Sequence, residues 1–242
     1  MSVNEIGMDK LIELRTRMYS VEVLRLLKSM YQYNELSRET GLPPPVLSRY
    51  VNGYVLPSLE RAKMFIQLFK SVYLKQAAES KIIKRENIIQ ITPLLSDTRL
   101  LSYIAKLISD EFSESGVTKV LTKETDGIPL AVLVGNEFGV PVIVAKNKKE
   151  LGIDSFIEAR QTYVSGVYTY IYVPKNLIRR GDRVLIVDDV IRSGSTIRAL
   201  INICREVRAE IAGIYALASI GNSIENLRNE YPYPVKSLLI IK

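Results

Sequence analysis

Read as a pattern of apolar and polar positions, the chain changes grammar near residue 90. Before it, apolar residues recur three and four apart. Ser20 to Met30 reads as a helix with Val21, Leu24 and Leu27 on one side. Asn34 is placed to cap a second helix, Glu35 to Thr40, stopped by Gly41. Pro44 and Pro45 suit the first turn of a third helix running to Asn52 and ending at Gly53. Leu47, Tyr50, Val51 and Tyr54 fall on one face of it, and Pro45, Ser48, Arg49 and Asn52 on the other. A fourth helix is expected from Ser58 to about Lys70, and Lys70 to Glu86 reads as a continuing helical connector with Lys81, Lys84 and Arg85 close together.

After residue 90, short apolar runs alternate with helical patterns, as in a parallel α/β fold. A helix Thr98 to Phe112 precedes a strand Thr118 to Thr122, a helix Gly127 to Phe138 and a strand Val140 to Ala145. A polar excursion, Lys146 to Ile153, leads to a β-ribbon over Phe156 to Tyr172, whose alternating tyrosines are expected to be half-buried. Then come a strand Val184 to Val187, a helix Ile197 to Val207, a strand Ile211 to Ala218, a short helix near Ile224 to Asn229 and a strand Val235 to Ile241. The resulting division is 1–80, a helix-turn-helix domain with its connector, and 81–242, an α/β domain.

The stretch Arg183-Val-Leu-Ile-Val-Asp188-Asp189-Val-Ile-Arg192-Ser193-Gly194-Ser195-Thr196 carries the most chemistry. A continuous apolar run of this kind is expected of a central parallel strand, so the residues after it sit where open α/β sheets bind ligands. Ionised carboxylates only accept hydrogen bonds, and a vicinal diol offers two donors, so Asp188 and Asp189 suit ribose 2- and 3-hydroxyls, directly or through a magnesium-bound water. Arg192, Ser193, Gly194, Ser195 and Thr196 offer amides and hydroxyls at a helix N-terminus, a seat for phosphate. Simple capping by Asp189 and Ser193 is the plainer alternative for either feature alone. The string lacks the Gly-Lys-Ser/Thr of a P-loop and the three-glycine spacing of a dinucleotide fold.

That string resembles the phosphoribosyl pyrophosphate (PRPP) signature of type I phosphoribosyltransferases. Upstream, Val120-Leu-Thr-Lys123-Glu124-Thr125-Asp126-Gly127-Ile-Pro-Leu-Ala131 is similar to the family's pyrophosphate loop, and Pro141 to Lys146 to the strand and basic residue after it. With Tyr163-Val-Ser165-Gly166 these follow the order seen in phosphoribosyltransferase-like transcriptional regulators, the bacterial purine repressors and related archaeal proteins. The resemblance implies ligand contacts at Lys123, Glu124, Thr125, Asp126, Gly127, Lys146 and Tyr163 as well as at the acids and the 192–196 loop. It also implies magnesium accompanying PRPP, and a hood over the sugar drawn from the segments before Thr98 or after Ser219.

The front segment resembles a phage-repressor helix-turn-helix. Pro45, Ser48, Arg49 and Asn52 on the outward face of the third helix are the candidate DNA contacts, since such side chains read base edges and phosphates in a major groove. Charge agrees: residues 1–86 hold 14 Lys/Arg against 9 Asp/Glu, net +5, and residues 87–242 hold 19 against 17, net +2. The 242 residues contain no histidine, which excludes Ser-His-Asp and Cys-His mechanisms. The lone Cys204 reads as packing, and no candidate metal cluster is visible. No run is apolar enough to span a membrane and no leader pattern opens the chain, so a cytoplasmic protein is expected.

Turnover is not expected. Orotate-type enzymes carry Lys where this chain has Asp126, and Lys146-Asn147 stands where related proteins have Arg-Lys. A cation replaced by an anion disfavours a leaving pyrophosphate. The reading is therefore a DNA-binding transcriptional regulator, a homodimer on double-stranded DNA, sensing PRPP, a nucleotide or another sugar phosphate. The alternatives are an active orotate or purine phosphoribosyltransferase with an accessory helical domain, and an RNA-binding attenuator.

Overall fold

A computed structural model describes residues 3–85 and 88–242. The chain divides into two compact units, Met1–Lys81 and Ile82–Lys242.

The first unit is all helical: α1 (Val3–Met30), α2 (Tyr33–Thr40), α3 (Pro44–Val51), α4 (Leu59–Leu68), a π-helical turn (Phe69–Tyr73) and α5 (Leu74–Glu79). Leu24, Leu27, Leu36, Leu47, Phe65 and Phe69 form its buried centre. α1 begins far ahead of the expected Ser20, because no proline stands between Val3 and Ser20 and Arg17 pairs with Glu13 one turn earlier. The cap of α2 is Gln32, not Asn34: Glu35 accepts a hydrogen bond from the Gln32 amide at 2.7 Å, closing a capping box. The guanidinium of Arg25 donates to the Val51 carbonyl at 2.9 Å and so ties the end of α3 to α1. Tyr54 is 78% exposed rather than packed, since Gly53 turns the chain at φ +74° before that residue is reached.

The expected connector is helical only to Glu79. Isoleucine-rich sequence then favours strand, and β1 (Ile83–Arg85) pairs antiparallel with β2 (Ile88–Gln90), so Lys84 and Arg85 lie on a hairpin and not on a helix. Glu86, the expected end of that connector, is outside the described residues.

The second unit continues with α6 (Thr92–Leu95), α7 (Thr98–Glu111), β3 (Lys119–Lys123), α8 (Ile128–Phe138), β4 (Val142–Ala145), β5 (Phe156–Thr162), β6 (Tyr168–Pro174), β7 (Arg183–Ile191), α9 (Ser195–Glu206), β8 (Glu210–Ile220), α10 (Ser223–Glu230) and β9 (Val235–Ile241). Five strands form one parallel sheet in the order β4-β3-β7-β8-β9. After β4 the chain returns across β3 to place β7, so the winding direction reverses between β3 and β7. Crevices open at such a reversal, beyond the carboxyl ends of the strands. β5 and β6 form a separate antiparallel ribbon. Its buried face carries Ile157, Ala159 and Gln161; Tyr168 and Tyr170, expected to be half-buried, point outward at 55% and 41% exposure. The segment before Thr98 is the β1–β2 hairpin with α6, and that after Ser219 completes the sheet with α10 and β9.

Candidate functional site

The reversal between β3 and β7 is occupied by a cleft of about 300 Å³. Its walls are the loop Lys123 to Gly127 after β3, the end of β7 with Asp188 and Asp189, the turn Arg192 to Thr196, and Gln161 and Tyr163 of the ribbon. Thirteen of the fourteen ligand residues expected from sequence therefore line one space. Lys146 is the exception: its ammonium lies 2.8 Å from Glu150, and its backbone pairs with Tyr172.

The two acids belong to the strand itself, since β7 runs on to Ile191. Asp188 is 5% exposed, and its Oδ1 accepts a hydrogen bond from the Asp189 amide at 3.0 Å. Burial, with the adjacent Asp189 charge, pushes the Asp188 carboxyl well above the usual carboxylate range, only partly opposed by the Asp189 amide and by Lys123. A buried acid beside a second acid calls for a cation or for hydroxyl donors. Among the described residues no group of three or more His, Cys, Asp or Glu could hold a metal. The donor set nonetheless fits magnesium, which is commonly bound by one or two carboxylates with the remaining oxygens supplied by substrate and water.

Across the cleft, Gly194 lies at φ +78°, the left-handed region, and so starts α9 at Ser195, two residues ahead of expectation. Arg198, one turn into α9, donates to the Ser193 carbonyl at 2.7 Å and forms a two-pronged pair with Glu230 at 2.7 and 2.5 Å, bracing the turn from outside. Arg192 is exposed at the cleft, and its Nη2 donates to the Ile89 carbonyl of β2 at 3.2 Å. Gly127 must be small: a Cβ there would collide with Thr122 Oγ1 and sit 3.3 Å from Asp188 Oδ1. The Glu124–Thr125 peptide is cis. The Glu124 carboxylate accepts from the Asn147 amide and from its side chain, both at 2.7 Å, which fastens the loop to the chain beyond β4.

Sequence reasoning missed Gln161. Its Nε2 lies 3.3 Å from Ser195 Oγ and 3.1 Å from Thr196 Oγ1. A glutamine on the buried face of a ribbon was the available signal.

In the helical unit, Leu47 and Tyr50 of α3 are buried, while Pro45, Arg49 and Asn52 are exposed and Ser48 is half-exposed. Asn52 donates to the Ser48 carbonyl at 2.9 Å and to its hydroxyl at 3.2 Å, so these two form one polar patch beside Arg49.

A phosphoribosyl transferase domain model matches residues 92–240, and a helix-turn-helix model matches residues 22–74. The purine biosynthesis transcriptional repressor PurR of Bacillus subtilis is 32% identical over 146 residues, 59% of this chain and 50% of that protein. The chain thus spans half the length of that relative. The xanthine phosphoribosyltransferase of Streptococcus agalactiae is 31% identical over 163 residues, 65% of this chain and 84% of that enzyme. Among solved structures, the adenine phosphoribosyltransferase of Rhodothermus marinus superposes with a TM-score of 0.62 at 23% identity, over 69% of this chain and 98% of that one, a likeness of fold.

Proposed function

The chain belongs to the phosphoribosyl transferase domain family, and from that membership we propose that it is a DNA-binding transcriptional regulator whose family domain senses a ribose 5-phosphate compound, PRPP or a related metabolite. One observation carries the reading. A cleft with paired acids on one wall and an anion-seating turn on the other lies in the same chain as a helix-turn-helix that exposes Pro45, Ser48, Arg49 and Asn52.

In this reading the phosphate sits on the amides and hydroxyls of Ser193 to Thr196, favoured by the N-terminus of α9. Asp188 and Asp189 take the ribose hydroxyls. Magnesium, when PRPP brings it, supplies charge neutralisation between the acids and the pyrophosphate. The loop facing C1 of the sugar argues for sensing over turnover. A departing pyrophosphate needs cations, and Lys123 shares that loop with Glu124 and Asp126 while Lys146 is paired with Glu150. The purine biosynthesis repressor of Bacillus subtilis is a relative that supports the regulatory reading.

Regulation also needs a route. Arg192 binds the β1–β2 hairpin, and β1 starts two residues beyond Lys81, the last residue of the helical unit. A phosphate drawing Arg192 away from the Ile89 carbonyl would change the hairpin from which the helical unit extends. Two copies on a palindromic operator would match the twofold symmetry of DNA.

The test is footprinting on the DNA upstream of the protein's own gene, with and without PRPP and ribose 5-phosphate, beside a turnover assay with PRPP, magnesium and each nucleobase. A footprint modulated by ligand, without nucleotide product, is expected. Robust product with orotate or a purine base and no footprint would replace the regulator with the transferase.

A further inference from the structure

Gln161 is buried, 2% exposed, and lines the cleft, yet its carbonyl oxygen Oε1 has no hydrogen-bond partner. Among the described residues one other buried side-chain polar atom shares that condition, Thr169 Oγ1. The two are not independent. Gln161 and Thr169 stand directly opposite each other in the β5–β6 register, and opposite residues of an antiparallel pair project from the same face with their Cβ atoms about 5 Å apart. A buried amide oxygen and a buried hydroxyl, each without a partner, therefore stand on facing residues on one side of the ribbon.

The other end of the same amide points at the phosphate turn. A carboxamide nitrogen has two hydrogens, and Nε2 has two partners, Ser195 Oγ and Thr196 Oγ1. Each hydroxyl holds one proton and two lone pairs. When Nε2 donates, one lone pair of each oxygen is used and both hydroxyl protons stay free for the cleft. With the amide reversed, Oε1 would accept those protons and leave lone pairs facing a bound anion. The same three side chains would then repel phosphate instead of binding it. What decides between the two orientations is the far end: the single Thr169 hydroxyl can donate to Oε1, whereas the reversed amide would set two N–H hydrogens against that one oxygen and leave one unpaired, so Nε2 toward the turn is favoured.

We propose that Gln161, oriented by Thr169 on the facing strand, is a positioning residue that sets the hydroxyls of Ser195 and Thr196 as donors and thereby makes the turn selective for a phosphoryl dianion. The inference rests on the proposed ligand class, because it assigns phosphate to this turn. It adds that the selectivity is written outside the signature loop, on the ribbon.

Titration calorimetry with ribose 5-phosphate, on full-length protein at pH 7.5, tests it with four variants. Gln161→Met keeps the volume and loses both donors, so affinity should fall about tenfold, as for a lost hydrogen bond or two. Gln161→Glu is nearly isosteric but can only accept and adds a negative charge, so the fall should reach about a hundredfold or more. Thr169→Val should weaken binding severalfold through misorientation, with Thr169→Ser restoring it. Thermal melting of each ligand-free variant separates this from simple damage to the fold: a merely structural role would lower affinity only in step with lost stability, whereas a positioning role predicts weaker binding in Gln161→Met and Thr169→Val at near wild-type Tm. Equal affinity in wild type and Gln161→Glu, or Thr169→Val indistinguishable from wild type, would overturn the assignment. No binding of ribose 5-phosphate by wild type would instead remove the ligand class on which it stands.

Discussion

Replacing Asp188 by Asn should stabilise the ligand-free protein while destroying its response to ligand. Asp188 is 5% exposed at the end of β7, beside Asp189, and both burial and that neighbour oppose its ionisation. Asn has the same shape and keeps an oxygen to accept from the Asp189 amide, the bond now made at 3.0 Å. The charge penalty is removed at little packing cost, a gain of about 0.5–2 kcal/mol for relief of this kind. For a unit of this size that is roughly 1–8 °C in Tm. The sign in pH follows from linkage. A carboxyl whose folded-state pKa lies above its unfolded value of about 3.9 costs nothing at low pH, where both states are protonated. Stability of the wild type is lost as pH rises from there through the folded-state pKa, and the loss is constant above it. Calorimetric melts at pH 3.5, 5.5 and 7.5 should therefore show the Asp188→Asn variant and wild type converging at the lowest pH and diverging above it, the variant being the more stable. Added ribose 5-phosphate should raise the wild-type Tm only. A variant less stable than wild type at pH 7.5, or a gap that does not change with pH, would refute the reasoning.

Gly194→Ala forces a side chain onto a backbone at φ +78° with Arg198 Nη1 at 3.0 Å and Leu227 Cδ2 at 3.1 Å; a loss of about 1–3 kcal/mol is expected by thermal melting, with weaker phosphate binding. Cys204 is fully buried and its thiol pushed up to about 12, so a thiol reagent at pH 8 should label the native protein only as fast as it unfolds. Arg49→Ala should weaken operator binding by about 1–3 kcal/mol in a gel-shift titration if it reads a base edge, and a smaller, sequence-independent loss would make it a phosphate contact. Arg192→Ala should leave operator affinity insensitive to ribose 5-phosphate; an unchanged ligand effect on DNA binding would exclude the hairpin route.

The apolar runs of β3, β7, β8 and β9 and the glycine stops at Gly41 and Gly53 were legible because they are local: a strand buried on both faces and a left-handed turn each leave a signature within a few residues. Asp188, Asp189 and the 192–196 turn were legible for the same reason, being contiguous. Gln161 was not, because its meaning lies in Ser195 and Thr196, more than thirty residues away. Lys146 misled in the complementary way: its position in the sequence is right for the cleft, but Glu150, four residues on, captures its ammonium. The hairpin at Ile83 was hidden because lysines and arginine among isoleucines suit either a helix face or an edge strand, and only pairing with Ile88–Gln90 decides.

A ligand regulates only by as much as it binds two states differently, so the cleft's ligand-free state matters as much as its ligand. That state holds a buried acid that resists its own charge. It also holds an arginine engaged with a neutral carbonyl where a phosphate would outbid it. On the proposed reading a sugar phosphate would relieve both the acid and the arginine, the first through its hydroxyls or accompanying magnesium and the second through its phosphate. Relief of the acid would stay local and set affinity. Movement of Arg192 would not stay local, because the Ile89 carbonyl it now holds belongs to the hairpin that follows the helical unit in the chain. Affinity and signalling are thus assigned to different residues, and their variants should differ in kind: Asp188→Asn abolishes binding, whereas Arg192→Ala weakens binding but abolishes its effect on DNA.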